Sequence, residues 1–253
     1  MRLVRDGGVI WGLGMYGSGS TWAFNAMLKL AEAMAPDLPR ASRFVAGESD
    51  VGDLAHGRDL IFVKSHETDA AAEAKLSAAA DLVVVSIRDP LDVVASGLEH
   101  HHWDFAKALD LAEKSARQCA RHQTDARALR LRYEAGFVDD RATLDRLADR
   151  MGGLLRAAER NRIFAATRRR EVERFIAELP RRPGVLIHRP TGDMLDPTTH
   201  WHTHHAGRTG EVGRWKRTLT AGQVREIEAR LGDWMTANFY PLGRAAAGHA
   251  GPA

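Results

Sequence analysis

The chain has 253 residues, 44% hydrophobic and 27% charged, which fits one large or two small globular domains and excludes wholesale disorder. Lys plus Arg number 36 against 33 Asp plus Glu, a net charge of +3, too small for a surface built to coat nucleic acid. A lone cysteine, Cys119, excludes an internal disulfide framework and points to a reducing, cytoplasmic setting, and no apolar run reaches the roughly 18 residues of a membrane span.

The N-terminal stretch carries Arg2 and Arg5, but its apolar run breaks at Gly12 and Gly14, so it is not read as a secretory signal. Residues 9–13, 60–63 and 82–87 are short runs of Val, Ile and Leu without alternation, the pattern of parallel strands covered on both faces. Each is followed by a helical pattern, over 21–34, 70–79 and 90–99, the last with Pro90 in its first turn. This alternation predicts an α/β fold of three layers, a central parallel sheet flanked by helices. Phe105, Leu109, Ala112, Ala116 and Cys119 recur at helical spacing, so residues 103–131 read as one long amphipathic helix. Helices are also expected over 139–151 and 163–179, and a short fourth strand over 184–187. Residues 189–214 show no period and read as a loop. Thr220 and Gln223 form a capping box for a final helix bearing Val224, Ile227, Leu231 and Trp234. No repeat or compositional break divides the chain. A single domain over 1–243 is expected, with 244–253 a disordered tail that has no large apolar residue to anchor it.

The turn from Gly14 to Trp22 joins the first strand to its helix. Small residues let the backbone wrap closely, and the helix start offers free N–H groups to an anion, most naturally a phosphate. Gly14, Gly19 and Thr21 keep P-loop spacing, but Ser20 stands where a nucleoside-triphosphate enzyme carries lysine. The turn therefore fits phosphate binding better than ordinary kinase chemistry. Taken alone, it equally fits a structural turn capping a helix.

The second strand ends Lys64-Ser65-His66-Glu67. Ligands of parallel sheets sit at the C-terminal strand ends. Lys64 and His66, two apart, project the same way, one able to balance anionic charge and the other to accept a proton. The third strand ends Arg88-Asp89-Pro90, with Ser96 eight positions after Arg88. An arginine there can fork to a phosphate and the serine can add a hydroxyl. The plainer alternatives are polar residues where strands reach solvent and an Arg88–Asp89 surface pair.

Together these motifs resemble the sulfotransferases that use 3′-phosphoadenosine 5′-phosphosulfate (PAPS). Gly17-Ser18-Gly19-Ser20-Thr21-Trp22 is similar to that family's 5′-phosphosulfate loop, Lys64-Ser65-His66 to its Lys-Thr/Ser-His element, and Arg88 with Ser96 to its 3′-phosphate site. Residues 207–216 resemble its closing loop, and Leu131-Arg132-Tyr133-Glu134 a stretch whose tyrosine lies near adenine. The matches run in family order over residues 9–220. The resemblance implies a P-loop-type fold and sulfonyl transfer from PAPS to an acceptor hydroxyl. It implies that Gly17 to Thr21 hold the 5′-phosphate, that Trp22 stacks on adenine flanked by Tyr133, and that Arg88, Ser96, Arg208, Thr209 and Gly210 bind the 3′-phosphate. Lys64 would meet the sulfonyl or bridging oxygens and His66 would be the base. Two positions depart: Gly17 replaces the usual turn Lys or Arg, and in the closing loop Thr209 replaces Lys and Arg214 replaces Asp. Gly17 keeps open a binding protein with impaired turnover, and a P-loop nucleotide kinase is the other alternative.

Glu67 and Glu99 are alternative bases. Arg168-Arg169-Arg170 reads as a solvated helix face, and Cys119 as core. His200, His202, His204 and His205 permit metal ligation by spacing without requiring it, so a solvated loop is the plainer reading and no metal is assigned. The acceptor, a small molecule or glycan, leaves no motif, and no nucleic-acid partner is expected.

Overall fold

The computed structural model describes residues 3–54, 57–188, 191–206 and 210–246. The chain runs α1 (Leu3–Asp6), β1 (Gly8–Gly14), α2 (Ser20–Met34), β2 (Arg40–Phe44), α3 (Glu48–Val51), β3 (Leu60–Ser65), α4 (Ala70–Ala79), β4 (Ala80–Ile87), α5 (Pro90–His100), α6 (Phe105–His122) and β5 (Ala128–Arg132). It continues through α7 (Arg141–Met151), α8 (Ala157–Thr167), α9 (Arg169–Glu178), β6 (Leu186–His188), β7 (Asp193–Leu195), α10 (Trp215–Thr218) and α11 (Ala221–Ala237).

Five strands form a sheet in the order β2-β3-β1-β4-β5, every pairing parallel. β1 lies at the centre and is buried along its whole length. Side chains alternate across the sheet, so two cores form. Val9, Trp11, Leu13, Val63, Val83 and Val85 pack on one face with α5, α6 and α11, and Ile10, Phe62, Leu82 and Val84 on the other with α2 and α7. This is the three-layer α/β architecture expected. Register sets Gly12 opposite Lys64, Leu13 opposite Ser65, and Gly14 opposite Ser86. Three strand ends therefore reach one edge together, where the strand order reverses and open α/β sheets bind ligands.

The helix starts are built by acidic side chains. Asp69, Asp89, Asp104 and Asp140 each accept a backbone N–H of the following turn, and Thr220 with Gln223 makes the capping box.

Three expectations are corrected. The long helix ends at His122; Ala128–Arg132 is instead an edge strand, with Leu129 and Leu131 inward and Arg130 outward. The helix over 163–179 breaks at Arg168, whose backbone is extended. The end of α8 is used there, because Trp22 Nε1 donates to the Thr167 carbonyl at 2.9 Å. The strand near 184–187 is β6, paired antiparallel with β7 in a separate exposed hairpin. β2 is an edge strand with two arginines and carries no apolar signature.

The described chain continues past Gly243 in a short helical turn, Arg244–Ala246. Arg244 bridges Asp89, at 2.5 and 3.1 Å, and lies over the Trp215 ring. Of the expected tail, residues 247–253 lie outside the described residues. Among the described residues no helix is long and apolar enough to cross a membrane.

Candidate active site

The turn after β1 is shaped by its glycines. Gly17 and Gly19 have φ of 65° and 78°, left-handed values that favour glycine. A Cβ on Gly14 would overlap Ser86 Oγ and Ser20 Cβ. Ser18 is fully buried; its hydroxyl donates to the Met15 carbonyl at 2.6 Å and shares a 2.8 Å hydrogen bond with Ser86 Oγ. Ser20 and Thr21 open α2, at the helix end that attracts anions.

Arg88 comes from the end of β4 and is 2% exposed. Its Nη1 donates to the Gly17 carbonyl at 2.9 Å and its Nη2 to the Glu211 carbonyl at 2.8 Å. Asp92, one turn into α5, lies 3.6 Å from Nη2. A Cβ on Gly17 would stand 3.1 Å from Ser96 Oγ and 3.4 Å from Arg88 Nη1, so Gly17, Arg88 and Ser96 share one small volume. Arg88 Nε is buried and meets no acceptor among the described residues.

Lys64 and His66 meet at the end of β3, with Nζ 3.3 Å from Nε2. His66 Nδ1 donates to the Gly14 carbonyl at 2.7 Å, which leaves the lone pair on Nε2. The ring stacks on Tyr16, centroids 4.2 Å apart. Burial, then the Lys64 charge, pushes His66 well below the ordinary histidine range. Burial pulls Lys64 down to about 8, with Glu67 opposing. The pair thus combines a neutral imidazole with an ammonium of reduced proton affinity.

No family model matches the chain, and no curated sequence matches it. Solved structures do. Mouse sulfotransferase SULT7A1 complexed with PAP superposes with a TM-score of 0.57 at 15% identity, over 91% of this chain and 84% of that one. Retinol dehydratase in a complex with retinol and PAP gives 0.55 at 14% identity, over 93% and 82%. Retinol dehydratase with androsterone and inactive cofactor PAP gives 0.58 at 14%, over 96% and 84%. This chain has the fold of the PAPS-dependent sulfotransferases.

Within the sulfotransferase fold, the turn, Arg88 and Ser96 lie together, as do Lys64 and His66. Arg208 and Thr209 lie outside the described residues. Gly210 approaches Tyr133: a Cβ there would stand 2.8 Å from the phenol oxygen. Tyr133 packs under Arg88, whose guanidinium carbon is 4.4 Å from the ring centroid. Trp22 is 5% exposed and packs near Phe137. Its edge borders a cavity of about 290 Å³ with Asn25, Thr167, Val172, Phe175 and Trp201.

The alternative bases are engaged. Glu67 accepts from the Tyr16 hydroxyl at 2.8 Å. Glu99 pairs with Arg214 at 2.9 Å and accepts from Thr218 at 2.5 Å. Arg214, where the closing loop departs from the family, is thus a buried anchor to α5. Cys119 is core, its thiol pushed by burial up to about 12.

Asp92 belongs to no motif of the sequence. Asp92 is fully buried and accepts the N–H groups of Gly213 (2.7 Å) and Trp215 (3.0 Å), tying the closing loop to Arg88. The histidine loop is not a solvated strand of chain. His200 is 6% exposed, and the ring of His204 meets that of His101 at 4.6 Å. His101 stacks on Trp103, which abuts Tyr16 over His66.

Proposed function

We propose that this protein moves a sulfonyl group from PAPS to a hydroxyl of a small-molecule or glycan acceptor. The observation that carries the reading is the meeting of Gly17, Arg88 and Ser96 beside a P-loop turn. A second basic and hydroxyl-bearing site next to the first suits a nucleotide phosphorylated at both 5′ and 3′ positions. The unpartnered Nε of Arg88 fits such an anion.

In this reading the N–H groups of Ser18 to Thr21 and the hydroxyls of Ser20 and Thr21 take the 5′-phosphate. Arg88 and Ser96, with Arg208, Thr209 and Gly210 of the closing loop, take the 3′-phosphate. Trp22 and Tyr133 flank the adenine. Both Nη atoms of Arg88 now serve main-chain carbonyls. The Nε group is then the donor left to meet a phosphate.

PAPS supplies an electrophilic sulfur and a phosphate leaving group. His66 Nε2 takes the acceptor hydroxyl proton, its tautomer fixed by Gly14. Lys64, which now donates to that nitrogen, turns to the sulfonyl oxygens and leaves the base free. Lys64 also stands in for the cation missing at Gly17. Retinol and androsterone, present in the two retinol dehydratase complexes, are small hydrophobic alcohols, and the aromatic wall of Tyr16, Trp103 and Phe44 near His66 suits the same class.

The test is calorimetric titration with PAP, 5′-AMP, and ATP with Mg²⁺, followed by transfer assays from PAPS to a panel of alcohols and phenols. Micromolar PAP binding that collapses without the 3′-phosphate supports the reading. A preference for Mg-ATP overturns it in favour of a kinase. Tight PAP binding without transfer supports the second reading, a binding protein disabled by Gly17.

A further inference from the structure

We propose that Asp193, His202 and His204 form a binding site for a divalent transition-metal ion of the zinc type. The site lies on the histidine loop, which reaches His66 through ring contacts of His101, Trp103 and Tyr16. It does not rest on the sulfotransferase reading.

The chain brings the three residues together by closing a tight hairpin. Leu195 and His202 form an antiparallel bridge, and Asp196 N donates to the Trp201 carbonyl at 3.0 Å. Asp193, at the start of β7, thereby faces the returning segment. His202 Nδ1 lies 2.7 Å and His204 Nδ1 3.0 Å from the same oxygen, Asp193 Oδ2. The ligating atoms of the three residues all lie within 4.8 Å of one another. Both rings turn the same nitrogen inward, and their centroids are 4.7 Å apart.

The carboxylate is itself held. Its Oδ1 accepts from the Thr203 hydroxyl at 2.6 Å and the His204 N–H at 3.3 Å. Such outer contacts orient ligands in known metal sites. Thr203 also accepts from Met194 N at 3.0 Å, so the support belongs to the backbone frame of the hairpin. His101 and His205 pack on His204 with centroids 4.6 and 4.5 Å away and wall the cluster.

Two imidazoles and a carboxylate are the ligand set of zinc sites that keep a fourth position open. Bonds of about 2.0 Å in tetrahedral array separate ligand atoms by about 3.3 Å, so the two nitrogens, now 2.7 and 3.0 Å from Asp193 Oδ2, need only a slight opening from it. On binding, each ring proton moves from Nδ1 to Nε2, and the metal takes the place of two N–H···O contacts without loss of a proton. Imidazole donors favour zinc and its first-row neighbours over magnesium. An anionic ligand on the same imidazoles is disfavoured, because Asp193 presents its negative charge at the point of convergence.

Chelator-treated full-length protein is titrated with Zn²⁺ and, separately, Mg²⁺ by calorimetry, with thermal unfolding recorded alongside. One equivalent of Zn²⁺ at micromolar affinity or tighter, a raised midpoint, and no response to Mg²⁺ are expected. His202→Ala and His204→Ala each weaken zinc by at least about tenfold, and Asp193→Asn by about tenfold to a hundredfold. His188→Ala, on the exposed hairpin, binds as wild type. Absence of zinc binding by the wild-type protein overturns the proposal without recourse to any variant. So does binding that survives in the His202→Ala/His204→Ala double variant, or that falls equally in His188→Ala. Saturable binding of inorganic phosphate at the cluster in place of zinc overturns it as well. PAP titration of each variant reports on the nucleotide site separately, so failure of one proposal is distinguishable from failure of the other.

Discussion

Arg88 Nη1 donates to the Gly17 carbonyl across 2.9 Å, joining the end of one central strand to a turn 71 residues earlier. The same guanidinium reaches the closing loop through the Glu211 carbonyl. One buried side chain therefore links three of the segments proposed to hold the nucleotide. Arg88→Ala should lower PAP affinity by about ten- to a hundredfold, the worth of a hydrogen bond to a charged group of about 1.5–3 kcal/mol. Affinity for 5′-AMP should change little. Equal losses for both nucleotides contradict a 3′-phosphate role.

His66→Ala should abolish transfer while PAP binding stays near the wild-type value. The pH profile gives an independent check. His66 is held well below its ordinary value, so it remains neutral, and base-competent, as pH falls through 6.5. Lys64 is drawn down to about 8, so its charge and the rate should fall as pH rises through about 8. The expected rate profile is flat between pH 6 and 7 and declines on the alkaline side. Folding responds with the opposite emphasis. The unfolded chain protonates His66 at about 6.5 and the folded chain resists, so stability drops as pH falls through that value. His66→Phe should reduce that slope in denaturant titrations, and an unchanged slope contradicts the assignment.

Asp92 accepts two N–H groups of the closing loop and faces Arg88 from a fully buried position. Asp92→Asn keeps the size and removes the charge. Breaking one member of a buried pair costs about 3–5 kcal/mol, so a clear fall in the unfolding midpoint is expected. PAP binding should weaken more than AMP binding, because the loop and Arg88 lose a common anchor. A variant with wild-type stability and selectivity removes Asp92 from that role.

Arg244 tests where the domain ends. Its contacts to Asp89 secure the N-cap residue of α5. Arg244→Ala should destabilise by about 1.5–3 kcal/mol. Urea denaturation at neutral pH measures it, and no change in midpoint would return the boundary to Gly243.

The three central strands, most of the helix starts and the glycine-rich turn are legible in the amino-acid order alone. These are local matters: a strand buried on both faces must be an unbroken apolar run, and Asp89, Asp140 and Thr220 cap the helices that follow them. Lys64 and Arg88 also reach the same edge of the sheet, because parallel strands in register end together. The rest depends on contacts between distant parts of the chain. Arg40–Phe44 and Ala128–Arg132 become strands because β3 and β4 offer them open edges, and an edge strand can be half polar. Arg214 finds Glu99 across 115 positions, Asp92 finds Gly213 across 121, and Asp193 draws His202 and His204 out of solvent. Such pairings join polar groups through the folded chain, and polar groups in contact leave no periodicity in the sequence.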